Sequence, residues 1–94
     1  MNGTSFRFAV STPDGIVAQG DCDFAVVPTT RGEMGVLAEH APIVACVAPG
    51  DLRVHSGGQE SLISVSDGLV EVLDNVVSLF VAKAGAARQP SAST

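Results

Sequence analysis

The sequence predicts an all-β fold, a flattened sandwich or barrel of about eight to ten short strands. Turn signals recur at roughly ten-residue spacing along the chain. Between them apolar and polar residues alternate, as at Phe6, Phe8 and Val10 against Arg7, Ala9 and Ser11. No stretch carries the 3.6-residue apolar stripe of a packed helix. With 94 residues the chain makes one domain. A chain of this size buries roughly 60–65% of its unfolded surface, enough for one modest core. Hydrophobic residues make up 46% but only four are Phe, so that core must be aliphatic.

Met1 to Ser5 is small and polar and is expected to fray. A half-buried strand follows through Phe6, Phe8 and Val10. Thr12-Pro13-Asp14-Gly15 is a turn with a mechanism: Pro fixes one dihedral, Asp bonds nearby backbone and Gly accepts positive φ. Ile16-Val17-Ala18 begins a second strand, Gly20-Asp21 breaks it, and Phe24 to Val27 makes a third. Thr29 to Gly32 is an exposed loop tip. Gly32 and Gly35 bracket Glu33 and Met34, which reads as a tight hairpin bend, and Met34 to Leu37 is a short strand. Pro42 opens the next strand, Ile43 to Val47, whose wholly apolar run implies cover on both faces. After Pro49-Gly50, Leu52 and Val54 alternate with Asp51, Arg53 and His55. Ser56 to Gln59 turns the chain into Leu62 to Val65. Asp67-Gly68 bends it into Leu69 to Leu73, and Asp74-Asn75 leads into the last strand, Val76 to Ala82. The domain is thus expected over residues 1–84. Residues 85–94, small and polar, are expected as a disordered C-terminal tail.

The chemistry of an enzyme is missing from this pattern. His40 and His55 sit near no ligand cluster. Asp21 and Asp23 read as a solvated acidic edge, and Ser61, Ser64 and Ser66 as outward strand positions. No Cys-x-x-Cys, nucleophile elbow or phosphate-binding loop occurs, and neither cofactor nor metal is expected. The net charge of −5, from five Lys plus Arg against ten Asp plus Glu, disfavours nucleic acid and anionic lipid as direct partners and favours a partner with exposed Arg or Lys. No apolar run approaches the 18 or so residues of a membrane span, and no basic-then-apolar leader opens the chain, so the cytosol is the expected compartment. Cys22 and Cys46 then read as two small apolar residues in a reducing environment, although spacing alone leaves a disulfide open.

Four motifs in order carry a resemblance. Gly32-Glu33-Met34-Gly35-Val36, then His40-Ala41-Pro42, then Pro49-Gly50, then Ser66-Asp67-Gly68-Leu69-Val70-Glu71-Val72 resemble the epsilon subunit of the F-type ATP synthase, over about Phe6 to Ala84. Two positions depart from the family pattern. Ala38-Glu39 stands where Pro-Gly or Pro-Asn usually precedes the His, and Asp67 replaces the first Gly of a later pair. A left-handed backbone suits Asp far better than Glu, so the shape of the turn before His40 is left open.

The resemblance implies a non-catalytic rotor subunit of the central stalk, linking the gamma subunit to the ring of c subunits and coupling ion flow to ATP synthesis. It implies a peripheral position at the cytoplasmic face of the bacterial inner membrane, without lipid insertion. Residues expected near gamma are Thr12, His40, Ala41, Pro42 and Ala45; those expected near the c ring are Arg31, Gly32 and Glu33. His40 has a second reading, a turn histidine capping nearby backbone, and Arg31 and Glu33 also read as a plain solvated loop. The family's C-terminal helical hairpin needs about 40 residues, more than follow Ala84. A short form is therefore expected, without ATP binding or hairpin-type inhibition. The rival reading is a freestanding sandwich that binds a small ligand or carries a covalent cofactor. Its difficulty is that the one Lys, Lys83, sits at the end of a strand rather than on a hairpin tip.

Overall fold

The computed structural model describes residues 5–90. Nine strands form, and no helix, among the described residues: β1 (Phe6–Thr12), β2 (Gly15–Cys22), β3 (Phe24–Thr29), β4 (Gly32–Leu37), β5 (Ile43–Val47), β6 (Gly50–Ser56), β7 (Gln59–Val65), β8 (Gly68–Leu73) and β9 (Val76–Val81). They make one curled sheet in the order β2-β1-β9-β8-β5-β3-β6-β7, with β4 on β3. The β1–β9 pair is parallel; the other pairs are antiparallel. The sheet folds over at β3, which pairs with β6 from Phe24 to Val26 but reaches β5 only at Thr29, opposite Val47. The bonds Thr30 N–H to Cys46 O (3.1 Å) and Ala48 N–H to Pro28 O (3.0 Å) hold that corner. Two layers result, β2-β1-β9-β8-β5 and β4-β3-β6-β7.

One aliphatic core fills the space between them. The inward residues of the first layer include Val10, Leu79, Val70 and Val47, and those of the second include Val27, Val36, Leu52 and Ile63; each is at most 1% exposed. The alternation in β1 reads directly as the burial sequence in–out–in–out, so the period-two expectation and the packing coincide. Among the described residues no side-chain polar atom is left buried without a partner.

Two hairpins share one local device. In Thr12-Pro13-Asp14-Gly15, Thr12 Oγ1 accepts the Asp14 N–H (3.1 Å) and donates to the Gly15 carbonyl (3.4 Å). In Thr29-Thr30-Arg31-Gly32, Thr29 Oγ1 accepts the Arg31 N–H (3.1 Å) and donates to the Gly32 carbonyl (2.6 Å). Gly15 and Gly32 take positive φ, 123° and 108°, as the tight return requires. The turn before β4 therefore lies at Thr30-Arg31. Glu33, which the bracketing glycines placed at a bend, is already in the strand, and Met34, expected to begin it, lies opposite Val27.

Three further expectations differ from the structure. Ile43–Val47 is not covered on both faces: Val47 is buried and Ala45 packs toward the core, but Val44 is 65% exposed. Ser61 is not an outward position, because it lies opposite the buried Val54. Gly85 to Gln89, expected within the tail, run beside β7: Gly85 N–H donates to Ser64 O (2.9 Å), and Arg88 and Leu62 exchange backbone bonds of 2.9 and 2.7 Å. Arg88 also reaches Asp51 (3.1 Å) and Ser64 (3.0 Å) with its guanidinium. Residues 91–94 of that expected tail, and residues 1–4 of the expected fraying end, lie outside the described residues.

Gly68 marks the tightest approach in the sandwich. A Cβ there would stand 2.1 Å from the Phe80 carbonyl oxygen and 2.8 Å from Val81 Cα, both backbone atoms that cannot move aside without breaking the β8–β9 ladder. Gly68→Ala should therefore destabilise the fold by about 1–3 kcal/mol. The expected result is a lower urea midpoint with an unchanged slope.

Candidate functional site

The two outer faces of the sandwich differ in chemistry. On the second layer, outward side chains are joined in polar pairs. Glu33 accepts from Arg53 (3.1 Å), His55 Nε2 lies 3.3 Å from Glu60 Oε2, and Asp51 holds Arg88. The His55 ring leans on Phe24 with centroids 5.5 Å apart. That face is satisfied by itself.

On the first layer the outward residues line up in cross-strand rows. Ile16 lies opposite Ser11, Ser11 opposite Phe80, Phe80 opposite Leu69 and Leu69 opposite Cys46. The next row runs Ala9, Ser78, Glu71 and Val44. Ile16, Val44, Leu69 and Phe80 are between 49% and 65% exposed. Rows of this kind are one continuous surface, since directly opposed side chains in a sheet touch. An exposed apolar patch on a sandwich whose core is already complete marks an interaction surface. Its depressions are shallow and open. One, about 400 Å³, lies over Thr12 and Phe80; another, about 300 Å³, lies between Pro42, Val44 and Leu73.

The residues expected near gamma fall partly on this face. Thr12 ends β1 beside Phe80, and His40-Ala41-Pro42 precede β5 at the other end of the layer, so the length of the sheet separates them. Ala45 lies opposite the buried Val70 and packs toward the core, and its neighbours Val44 and Cys46 are the ones that point out. His40 does what a turn histidine does: its Nδ1 donates to the Ala41 carbonyl at 2.7 Å. Arg31 and Gly32 form the β3–β4 tip at the Thr12 end, with Glu33 just inside it and drawn to Arg53. The hydrophobic face itself, built by Ile16, Val44, Leu69 and Phe80, was missed in the sequence. The available signal was the apolar residue at the polar phase of each strand, with Val44 and Leu69 out of step with Ala45 and Val70.

The turn before His40 is left-handed. Glu39 has φ 64°, and its N–H donates to Asn75 Oδ1 at 2.8 Å, while Asn75 Nδ2 donates to the Ser5 carbonyl at 3.0 Å. Asn75, itself at φ 65°, thus clamps the strained turn across the sandwich end. A left-handed conformation costs a side chain about 1–2 kcal/mol. Glu39→Gly should raise stability by about 0.5–1 kcal/mol after the extra unfolded-state entropy of glycine is counted. The Asn75 bond should persist, since it uses only the backbone N–H.

The two cysteines are free and unlike each other. Cys22 is 1% exposed; burial, with Asp23 and Asp21 nearby, pushes its thiol from 9.0 up to about 12. Folding therefore holds this proton where the unfolded thiol would lose it, so its contribution to stability declines as pH rises above about 9. Cys46 stands exposed at the end of the apolar row. At pH 8 a maleimide should label Cys46 at once and Cys22 only after unfolding, as read by intact mass.

Among the described residues no group of three or more His, Cys, Asp or Glu is placed to hold a metal ion, and no helix is long and apolar enough to cross a membrane. Comparison with known proteins agrees with the architecture. The family model of the ATP synthase Delta/Epsilon chain β-sandwich domain matches residues 5–87. The ATP synthase epsilon chain of Alkalihalophilus pseudofirmus is 43% identical over 89 residues, covering 95% of this chain and 65% of that protein. That of Shouchella clausii is 41% identical, covering 92% of this chain and 62% of that protein. The chain therefore spans less than two thirds of these relatives' length. Among solved structures, a chain of the Euglena gracilis mitochondrial ATP synthase, in an assembly of OSCP, F1 and c-ring, superposes with TM-score 0.81 at 30% identity over 87% of this chain and 53% of that one. A chain of the Tetrahymena thermophila central stalk and c-ring gives TM-score 0.67 at 16% identity, covering 85% of this chain and 65% of that one, which speaks to the fold. A match over nearly the whole chain, on a sandwich with this strand count and these turns, leaves one assignment: the chain belongs to the family of the ATP synthase delta/epsilon chain β-sandwich domain.

Proposed function

We propose that this sandwich is the rotor-side domain of an F-type ATP synthase central stalk, a non-catalytic part that joins the gamma subunit to the c ring. The observation that carries this reading is the outward apolar face of the first layer, Ile16, Val44, Leu69 and Phe80, on a molecule whose core is otherwise closed. A gamma subunit would lie along that face from the His40 end to Thr12. The c ring would meet the Arg31-Gly32-Glu33 end, where Thr30 and Arg31 project beyond the strands. In the Euglena assembly, the chain that this one superposes on belongs to a complex of OSCP, F1 and c-ring. The place that follows is peripheral, at the cytoplasmic face of a bacterial inner membrane.

Mechanically the role is to transmit torque. Close-packed interiors compress little, and hairpins closed by two-residue turns allow little flexing. The electrostatics at the tip are modest, because Glu33 is exposed and already shared with Arg53. Charges of that kind set association and register more than affinity.

The test uses membranes whose synthase lacks its epsilon chain. Adding this protein should restore binding to the F1 assembly and ATP-driven proton pumping. Glu33→Lys should leave F1 binding intact and lower the pumping obtained per ATP hydrolysed. Failure of the unaltered chain to bind F1 would refute the stalk reading. Full pumping with Glu33→Lys would remove the tip from the c-ring contact.

A further inference from the structure

Among the ten carboxylate side chains, eight are exposed and two, Glu60 and Glu71, are half-buried. Glu60 has a partner, His55, at 3.3 Å. Glu71 has none: among the described residues no ion pair or side-chain hydrogen bond reaches it. It stands in the middle of the apolar face, with Val44 opposite on one side and Ser78 on the other. Leu69 and Leu73 flank it along its own strand, both largely exposed. It also lines the depression of about 300 Å³ whose other walls are Pro42, Ile43, Val44, Val72 and Leu73. Glu71 is the one ionisable group in that lining.

A lone carboxylate is tolerable there while water reaches it. Once a partner covers the face, the same carboxylate loses its water, and a desolvated charge without a counterion is strongly unfavourable. A partner surface that was apolar throughout would meet this penalty in full. We propose that the partner of this face inserts one basic side chain, an arginine or a lysine, into the depression beside Glu71. Its alkyl stem lies on Pro42, Val44 and Leu73, and its cationic head pairs with the Glu71 carboxylate. The fit is one of both shape and chemistry, since long basic side chains cover apolar surface with their stems and keep the charge at the tip. A guanidinium would engage both carboxylate oxygens. Glu71 thereby becomes the residue that sets register and selects the partner, while Phe80, Leu69 and Val44 supply the burial.

This inference rests on the reading that a gamma-type partner covers the first layer, and the experiment separates the two. The probe is an F1 assembly that contains gamma but lacks its epsilon chain, with binding measured by surface plasmon resonance across a salt series. Phe80→Asp tests the face, and Glu71→Gln tests the carboxylate with little change of shape. Circular dichroism and thermal midpoints confirm folding of both variants. Phe80→Asp should abolish binding. Glu71→Gln should weaken it about tenfold or more and flatten its salt dependence, because a charge-assisted bond is lost and a basic group is left unpaired. Glu71→Asp, which keeps the charge on a shorter arm, should recover part of the affinity. If Phe80→Asp binds as the parent does, the face is wrong and the inference falls with it. If Phe80→Asp abolishes binding while Glu71→Gln keeps full affinity and the full salt slope, the face stands and the basic side chain is refuted.

Discussion

The corner at Pro28–Thr30 is the constraint on which the rest of the molecule depends. There β3 leaves β6 and joins β5 through Thr30 N–H to Cys46 O and Ala48 N–H to Pro28 O. Without that junction the two layers would be separate ribbons, each with one apolar face in water. Pro28 suits the position because it has no N–H to leave unpaired as the strand changes neighbours. Space at the corner is short: a Cβ on Gly50 would come within 3.2 Å of Pro28 Cβ. Closure lets a small chain share one aliphatic core instead of exposing two faces.

Closure also divides the surface into two regimes. The second layer presents two exposed pairs of opposite charge, Glu33 with Arg53 and Asp51 with Arg88, each weak because it is exposed, and beside them the half-buried contact of His55 with Glu60. The edge strand β7 is not bare, since Ala84 to Arg88 pair with it at two isolated bridges. A covered edge resists strand addition by other molecules. The first layer carries one ion pair, Arg7 with Asp21 on β1 and β2, and is otherwise left with the apolar rows and a single half-buried carboxylate. The apolar surface is thus concentrated on one face, where Glu71 is the one half-buried carboxylate.

Strain is kept at the opposite end from the β3–β4 tip. Glu39, Asp74 and Asn75 all take positive φ, and Asn75 ties Glu39 and Ser5 together through its amide. Such residues persist where surrounding bonds over-determine them. The β8–β9 turn, the turn before His40 and the start of β1 are thereby tied together at one end of the apolar face.

The sequence by itself determined the local elements. Alternation placed most inward residues, because side chains on a strand point to opposite sides in turn, and the glycine and proline signals located the turns to within a residue or two. The four spaced motifs also carried the family resemblance. Tertiary structure alone decided which outward residues share a face. Phe80 meets Ser11 because β1 and β9 pair in parallel across almost the whole chain, and no local pattern encodes that neighbour. It decided that Ile43–Val47 is open on one side and that Ala45 looks inward while Val44 looks out. An all-apolar run reads identically whether one or both of its faces are covered. It decided, too, that Glu39 can hold a left-handed turn, since the bond that stabilises it comes from Asn75, 36 residues away. Period and turn chemistry are properties of neighbours in sequence; cover and counterions are properties of neighbours in space.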